Sequence, residues 1–264
     1  MQKTDPHVDI EIADGLARVW LARPERRNAL DPTVLEQLGL ALQALAADPR
    51  VQVVVLGGRG SAFCAGADLN WMARAAGYTR EQNVDDAQQL ARLLKTLDEM
   101  PKPTIARVHG ACYAGAIGLV AACDLAVAAD DARFCFSEVR LGLVPATISP
   151  YVVRTMGYRS SLQLMLTAEV FDAASAQRLS LVNEVVPGTA LDSRVDAIAA
   201  RLGEAGPRAS AETKQLLREI AGKPLDDRLR QRTVECIADA RASQEGREGL
   251  RAMLAAETPN WRKR

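Results

Sequence analysis

Two short, almost wholly apolar runs, each followed by a stretch stripped of large side chains, restrict this chain more than anything else in it. Val51-Gln-Val-Val-Val-Leu56 leads into Gly57-Gly-Arg-Gly-Ser-Ala-Phe-Cys-Ala-Gly66, and Thr104-Ile-Ala-Arg-Val108 leads into Gly110-Ala-Cys-Tyr-Ala-Gly115. Runs of five or six residues without polar alternation read as strands buried on both faces, the mark of a parallel sheet covered by helices. Parallel neighbours need crossover connections, so helical segments must separate them.

Those segments are present. Val8, Ile10 and Ile12, then Asp14-Gly15, then Leu16 to Leu21 read as a β-hairpin. Asp31-Pro32 opens a helix, the acid as cap and proline in the first turn, with Leu35, Leu38, Ala41, Leu42 and Leu45 on one face. A further helix is expected over roughly 80–99, stopped at Pro101-Lys-Pro103, and Leu125 to Ala128 is strand-like. Beyond about residue 147 the pattern predicts helices alone, at 159–167, 173–180, 189–205, 208–221 and 224–256. The reading is an α/β core with a helical C-terminal extension and no low-complexity linker between them.

Composition narrows the function. Lys plus Arg equals Asp plus Glu, 33 each, so no bulk charge draws the chain to nucleic acid or an anionic membrane. Five cysteines without a CxxC pair, and only His7 and His109, supply a zinc site poorly. The polar opening lacks the apolar stretch of a signal peptide, and no run of ~20 apolar residues could span a membrane. A cytoplasmic protein with reduced thiols is expected.

The two stripped turns carry the chemistry. Neither has the Gly-Lys-Ser/Thr of a Walker loop, and Phe63 stands where a dinucleotide fingerprint needs a third glycine. A helix beginning near Gly115 would present N–H groups with no intrahelical partner, together with the positive end of its dipole. Small residues let a ligand oxygen come close to such groups. Two such turns could bring two backbone donors to one carbonyl or thioester oxygen, as an oxyanion hole. Gly and Ala at these positions could equally serve only close packing of helix on sheet.

In order and spacing, Arg23-Pro-Glu-Arg-Arg-Asn-Ala-Leu30, Ala62-Phe-Cys-Ala-Gly-Ala-Asp-Leu69, Pro101-Lys-Pro-Thr-Ile-Ala106, Gly110-Ala-Cys-Tyr-Ala-Gly115, Ala121-Ala-Cys-Asp124 and Phe134-Cys-Phe-Ser-Glu-Val-Arg-Leu-Gly-Leu-Val-Pro145 resemble the crotonase superfamily of enoyl-CoA hydratases and isomerases. The resemblance covers nearly the whole chain. It implies a spiral of ββα turns over about residues 1–200 holding the CoA and the active site. Residues 201–264 would then form a helical region packing on the core and building a homo-trimer, or a hexamer of two trimers. It implies an acyl-CoA thioester as substrate, with coenzyme A entering as part of it and no separate cofactor or metal. By position, the backbone N–H groups of Ala67 and Gly115 become the oxyanion donors. Arg26, Arg27, Ala29 and Leu30 would lie along the CoA phosphates and adenine, and Ala65 and Asp68 near the adenine and thioester. Without the resemblance, Arg26 and Arg27 read as a solvated turn and Asp68 as a helix cap.

Hydratases of the two-glutamate kind carry one glutamate three residues after the second oxyanion glycine and another twenty further on. Here those positions are Gly118 and Glu138. Glu138 is the candidate general acid/base, its pKa raised if Phe134, Phe136, Val139 and Leu141 face the cleft. The plainer alternative is an exposed glutamate paired with Arg140. One carboxylate suffices to move a double bond between the 3- and 2-positions, as in the isomerase branch. The runs 118–124 and 138–154 resemble instead the bacterial methylglutaconyl- and isohexenylglutaconyl-CoA hydratases, whose acyl chains carry a second carboxylate. A third reading is a CoA-binding or RNA-associated member that has lost catalysis. Tyr113, Ser137, Arg140, Thr147 and Ser149 are candidates for a supporting polar role, although each is readily explained as structural.

Overall fold

The computed structural model describes residues 7–262. The first six residues, part of the opening read as lacking a signal peptide, lie outside the described residues.

Strands β1 (Val8–Ala13) and β2 (Leu16–Leu21) pair antiparallel across Asp14 and Gly15, whose φ angles are 49° and 79°. Two positive φ values in a two-residue loop give the turn whose twist matches the strands it joins, which is why Asp-Gly stands there. Helix α1 (Pro32–Ala47) begins where its cap predicts, with Asp31 accepting from the Val34 N–H at 2.9 Å. Its Leu35, Leu38, Ala41, Leu42 and Leu45 are all buried.

Strand β3 (Val53–Gly58) is buried at every position and runs parallel to β2 on one side and to β4 (Thr104–Val108) on the other. Helices α2 (Leu69–Ala75) and α3 (Arg80–Asp98) make the crossover between β3 and β4. Thr79 and Gln82 exchange side-chain-to-backbone bonds at the start of α3, a capping box. Then come β5 (Ala111–Tyr113), α4 (Gly115–Ala122), β6 (Leu125–Ala129) and β7 (Arg133–Cys135). They are followed by α5 (Ser149–Met156), α6 (Tyr158–Thr167), β8 (Phe171–Asp172), α7 (Ala173–Arg178) and β9 (Glu184–Val186). The chain closes with α8 (Leu191–Gly203), α9 (Pro207–Ile220), α10 (Asp227–Ala242) and α11 (Gln244–Leu254).

The larger sheet has the order β1-β2-β3-β4-β6-β9 and the smaller β5-β7-β8. One face of the larger sheet carries the main core, shared with α1, α3 and α4. The other face packs Val53, Val55, Ile105 and Val127 against Leu191, Val195 and Ala199 of α8. Helix α8 runs across residue 200 while lying on the sheet.

Two expectations for the last third are corrected. The region is not wholly helical: Phe171–Asp172 and Glu184–Val186 are strands, and β9 extends the larger sheet beside β6. Segments of two and three residues are too short to display a period, so only their partners reveal them. The helix expected over 224–256 is two helices. Ser243 ends α10 and caps α11, its side chain accepting from the Gly246 N–H, and a Cβ on Gly246 would sit 2.1 Å from Ala240 O.

Helix α9 is tied to the sheet by an ion pair. Lys214 Nζ lies 2.5 Å from Asp124 Oδ2 and donates to Lys102 O at 2.8 Å. The same Asp124 oxygen accepts from the Thr104 N–H and hydroxyl at 2.8 and 2.9 Å, joining the end of α4 to the start of β4. Among the described residues no helix is long and apolar enough to cross a membrane.

Candidate active site

The two stripped turns meet through their backbones. Cys64 N–H donates to Ala111 O at 3.0 Å and Tyr113 N–H to Cys64 O at 3.1 Å, a parallel bridge between Cys64 and Cys112. Two chain exits therefore leave this bridge side by side, 65–67 and 114–115. Gly66 lies against the second exit with φ 97°; a Cβ there would stand 3.3 Å from Tyr113 O and 3.5 Å from Ala114 Cβ.

On its other flank the first exit pairs with Leu30. Leu30 N–H donates to Gly66 O and Asp68 N–H to Leu30 O, both at 2.8 Å. The C=O and N–H of a trans peptide point opposite ways, so the Ala67 N–H, which shares its peptide with the Gly66 carbonyl bonded to Leu30, faces away from Leu30. Gly115 is the first residue of α4, where an N–H has no intrahelical acceptor. Ala114 before it adopts φ 51°, ψ −122°, a strained conformation held by its N–H bond to Cys135 O at 2.9 Å. Among the described residues no protein acceptor takes the N–H of Ala67 or of Gly115. Both residues are half-buried, while Gly66 and Ala116 beside them are buried.

The basic turn forms one rim. Arg26 and Arg27 are exposed, and Arg27 and Asn28 have φ 49° and 56°. Ala29 and Leu30 are buried and offer the cleft little beyond main chain. Ala65 is half-buried, its N–H held by Arg27 O at 2.9 Å. Asp68, expected beside the adenine and thioester, turns its carboxylate on the protein. It caps α2 through the Asn70 and Trp71 N–H groups and pairs with Arg23 at 3.3 Å and Arg26 at 3.5 Å. Burial alone would raise its pKa, but those two amides and the two guanidiniums outweigh it and hold the carboxyl below the usual range.

Two residues that position this rim escaped the sequence reading. Asn28 is 1% exposed; its amide donates to Arg59 O and Ala62 O, both at 2.8 Å, and its carbonyl accepts from the Arg23 N–H at 2.9 Å. Arg23 bonds Asp31, Asp68 and the carbonyl of Ala29, tying the turn to both helix caps. Asn28 stands in the quoted Arg-Pro-Glu-Arg-Arg-Asn motif, yet the partners of its amide lie 31 and 34 residues away. No local signal shows them.

Glu138 opens a single turn of 3-10 helix, Glu138–Leu141, closed by Gly142 at φ 71°. Its Oε2 is buried without any hydrogen-bond partner among the described residues. Burial pushes its carboxyl above the ordinary glutamate value. Arg140, the partner of the plainer reading, is exposed and forms no ion pair with it. Phe134 and Phe136 are fully buried and stack on Phe171 at centroid distances of 5.4 and 6.1 Å. Leu141 is 58% exposed and cannot supply the desolvation. Ser149 donates its hydroxyl to Pro145 O at 2.6 Å, a bond to the segment just ahead of α5.

Gly118, one turn along α4 from Gly115, is buried beneath Ile148. Between the exits and this point the lining is aliphatic: the Cβ position of Gly115 is 3.5 Å from Leu30 and Leu90, and that of Gly118 is 3.4 Å from Leu94. No three His, Cys, Asp or Glu among the described residues converge in a way that could hold a metal ion.

Comparison with known proteins accounts for this architecture. The sequence profile described as enoyl-CoA hydratase/isomerase matches residues 11–264. A crystal structure of an enoyl-CoA hydratase from Shewanella pealeana superposes with a TM-score of 0.94 at 39% identity, covering 97% of this chain and 96% of that one. The fold is thus the crotonase fold, a mixed α/β architecture with a C-terminal helical region. A Thermus thermophilus protein named provisionally as an enoyl-CoA hydratase is 39% identical over 256 residues, 96% of this chain and 100% of its own length. A peroxisomal Δ(3,5)-Δ(2,4)-dienoyl-CoA isomerase of Arabidopsis thaliana is 34% identical over 211 residues, 74% of each chain. The chain belongs to the enoyl-CoA hydratase/isomerase family of enzymes.

Proposed function

We propose that this enzyme adds water across the double bond of a 2-enoyl-CoA thioester. The observation that carries the reading is the buried, unpartnered Oε2 of Glu138 in the same chain as two unclaimed backbone amides. In this scheme the Ala67 and Gly115 N–H groups hold the thioester oxygen, a contribution of about 3 kcal/mol per donor to the transition state. Glu138 takes a proton from water as the oxygen bonds to C3, and returns it to C2 as the enolate collapses. One carboxylate thus serves as base and then acid. Arg26 and Arg27 meet the CoA phosphates, Ala29, Leu30 and Ala65 border the adenine, and Asp68 holds the wall behind them. Coenzyme A arrives with the substrate, and no further cofactor takes part.

For the acyl chain we propose a branched glutaconyl type, supported by the likeness of residues 118–124 and 138–154 to the hydratases of such substrates. Exposed Val234, Ile237, Leu250, Met253 and Leu254 on α10 and α11 support assembly of residues 201–264 into a trimer or hexamer. The free cysteines support a reducing, cytoplasmic setting.

A second reading has its own observation. Ile148 fills the space beside Gly118, leaving Glu138 as the one candidate carboxylate among the described residues, and one carboxylate is enough for a Δ3,Δ2-enoyl-CoA isomerase. The ultraviolet absorbance of the conjugated enoyl thioester separates the two. Hydration of a 2-enoyl-CoA lowers it, and isomerisation of a 3-enoyl-CoA raises it. A panel of chain lengths and charges, with and without Glu138→Gln, tests the substrate class; no change with any member overturns both readings.

A further inference from the structure

His109 has no place in the chemistry above, yet it uses both ring nitrogens and its carbonyl on its neighbours. Nε2 lies 2.8 Å from Gly60 O, and Nδ1 lies 3.0 Å from a guanidinium nitrogen of Arg107. A carbonyl oxygen only accepts and a guanidinium only donates. The bonds therefore admit one form of the ring: neutral, with its proton on Nε2. The carbonyl of His109 also accepts from the Phe63 N–H at 2.8 Å. At the next residue the backbones nearly touch, since a Cβ on Gly110 would stand 2.1 Å from Ser61 O. The loop 57–62 is thus laid on residues 109–110, and Asn28 grips it at Arg59 O and Ala62 O.

We propose that His109 is a positioning residue, whose neutral imidazole pins loop 57–62. The pin fixes the chain exit bearing the Ala67 N–H and, through Asn28, the basic turn at Arg26 and Arg27. Its effect on turnover rests on the hydratase reading; the clamp itself does not.

Protonation undoes the clamp. An imidazolium would aim an Nδ1–H at the Arg107 guanidinium. Arg107 is held in place by two bonds to Asp192, at 2.5 and 3.1 Å, and lies 5.6 Å from the Trp20 ring centre. The charged groups facing His109 are Arg107 on β4, Asp192 on α8 and Asp131 ahead of β7. Burial, the largest influence, keeps the imidazole below its ordinary value; Arg107 acts the same way, while the Gly60 bond and the two carboxylates act in the opposite direction. The closed loop therefore binds fewer protons than the open one. The clamp is at full strength above the free imidazole value of about 6.5 and weakens as the pH falls below it.

Hydrogen exchange at the Phe63 and Cys64 amides, corrected for intrinsic rates, tests this between about pH 5 and pH 8. Protection in the wild type should fall as the pH drops below the free imidazole value, by no more than about tenfold per pH unit, the limit for one proton. His109→Gln, whose amide can still donate to Gly60 O, should keep the protection and lose its acid dependence. His109→Ala should lose protection at every pH. KM for a 2-enoyl-CoA should follow the same profile while kcat changes less. A flat wild-type profile, or an acid loss that survives in His109→Gln, overturns the proposal. Absence of turnover alongside the expected exchange pattern refutes the hydratase reading alone.

Discussion

Ile148 occupies the space that a side chain at position 118 would need: a Cβ built on Gly118 stands 2.3 Å from Ile148 Cγ2 and 2.9 Å from its Cβ. Replacing a helical glycine by alanine gains about 1 kcal/mol of intrinsic helix propensity. Overpacking a closed core costs about 1–3 kcal/mol. The second effect wins at this contact, so Gly118→Ala should destabilise by up to about 2 kcal/mol in urea denaturation. In an Ile148→Ala background the same change should be neutral or stabilising. Gly118→Glu should cost more and add no hydratase activity, since its carboxylate has no room; a faster Gly118→Glu enzyme would disprove the steric account.

Glu138→Gln should lower kcat by about 10²-fold or more, through loss of general acid/base transfer. Its stability should not fall with it. The wild-type carboxylate is buried with an oxygen that bonds to nothing, so removing its charge relieves a desolvation cost. A thermal melt equal to or above wild type, beside a crippled rate, is the expected pair of results. A large loss of Tm would mark the residue as structural.

The pH dependence follows from the raised pKa of Glu138, caused by burial. The folded state holds this proton more tightly than the unfolded chain. The group therefore favours folding in full below the unfolded glutamate value, and that contribution is lost as pH rises through the folded value. Activity runs the other way, because the base must be ionised. The acid limb of kcat/KM should lie above the ordinary glutamate value of about 4.3. In a His109→Gln background, which removes the acid dependence of KM, that limb should vanish from the residual activity of Glu138→Gln.

Asn28→Ala should destabilise by about 2–3 kcal/mol, since one buried and one part-buried carbonyl lose their donor and alanine must adopt φ 56°. Because Asn28 joins the basic turn to loop 57–62, KM for the CoA thioester should rise more than kcat falls. Steady-state kinetics at constant pH checks this; an unchanged KM would detach the turn from CoA binding.

Much of the scaffold was legible because its signals are local. The Asp14-Gly15 turn, the Asp31 cap and the start of α4 at Gly115 each depend on residues within a few positions of one another. Glu138 was legible as a lone acid only through the resemblance, which sets an acid twenty residues beyond Gly118, and only three dimensions show that its oxygen lacks a partner. The reason no side chain stands at Gly118 lies thirty residues away in Ile148, and one chain carries no record of that contact. Strand β9 failed to register because three residues reveal no period until β6 supplies the ladder. Asp68 was visible as a cap; its two arginine partners were not.

The Lys214–Asp124 bond has a mechanical consequence. Asp124 is the hinge pin between the rear of α4 and the root of β4, and its cation comes from α9, some ninety residues further along the chain. Cutting the chain before α9 would leave that carboxylate with its Thr104 bonds but without its cation. Helix α9 is thereby fastened just behind the tail of the very helix whose head is Gly115.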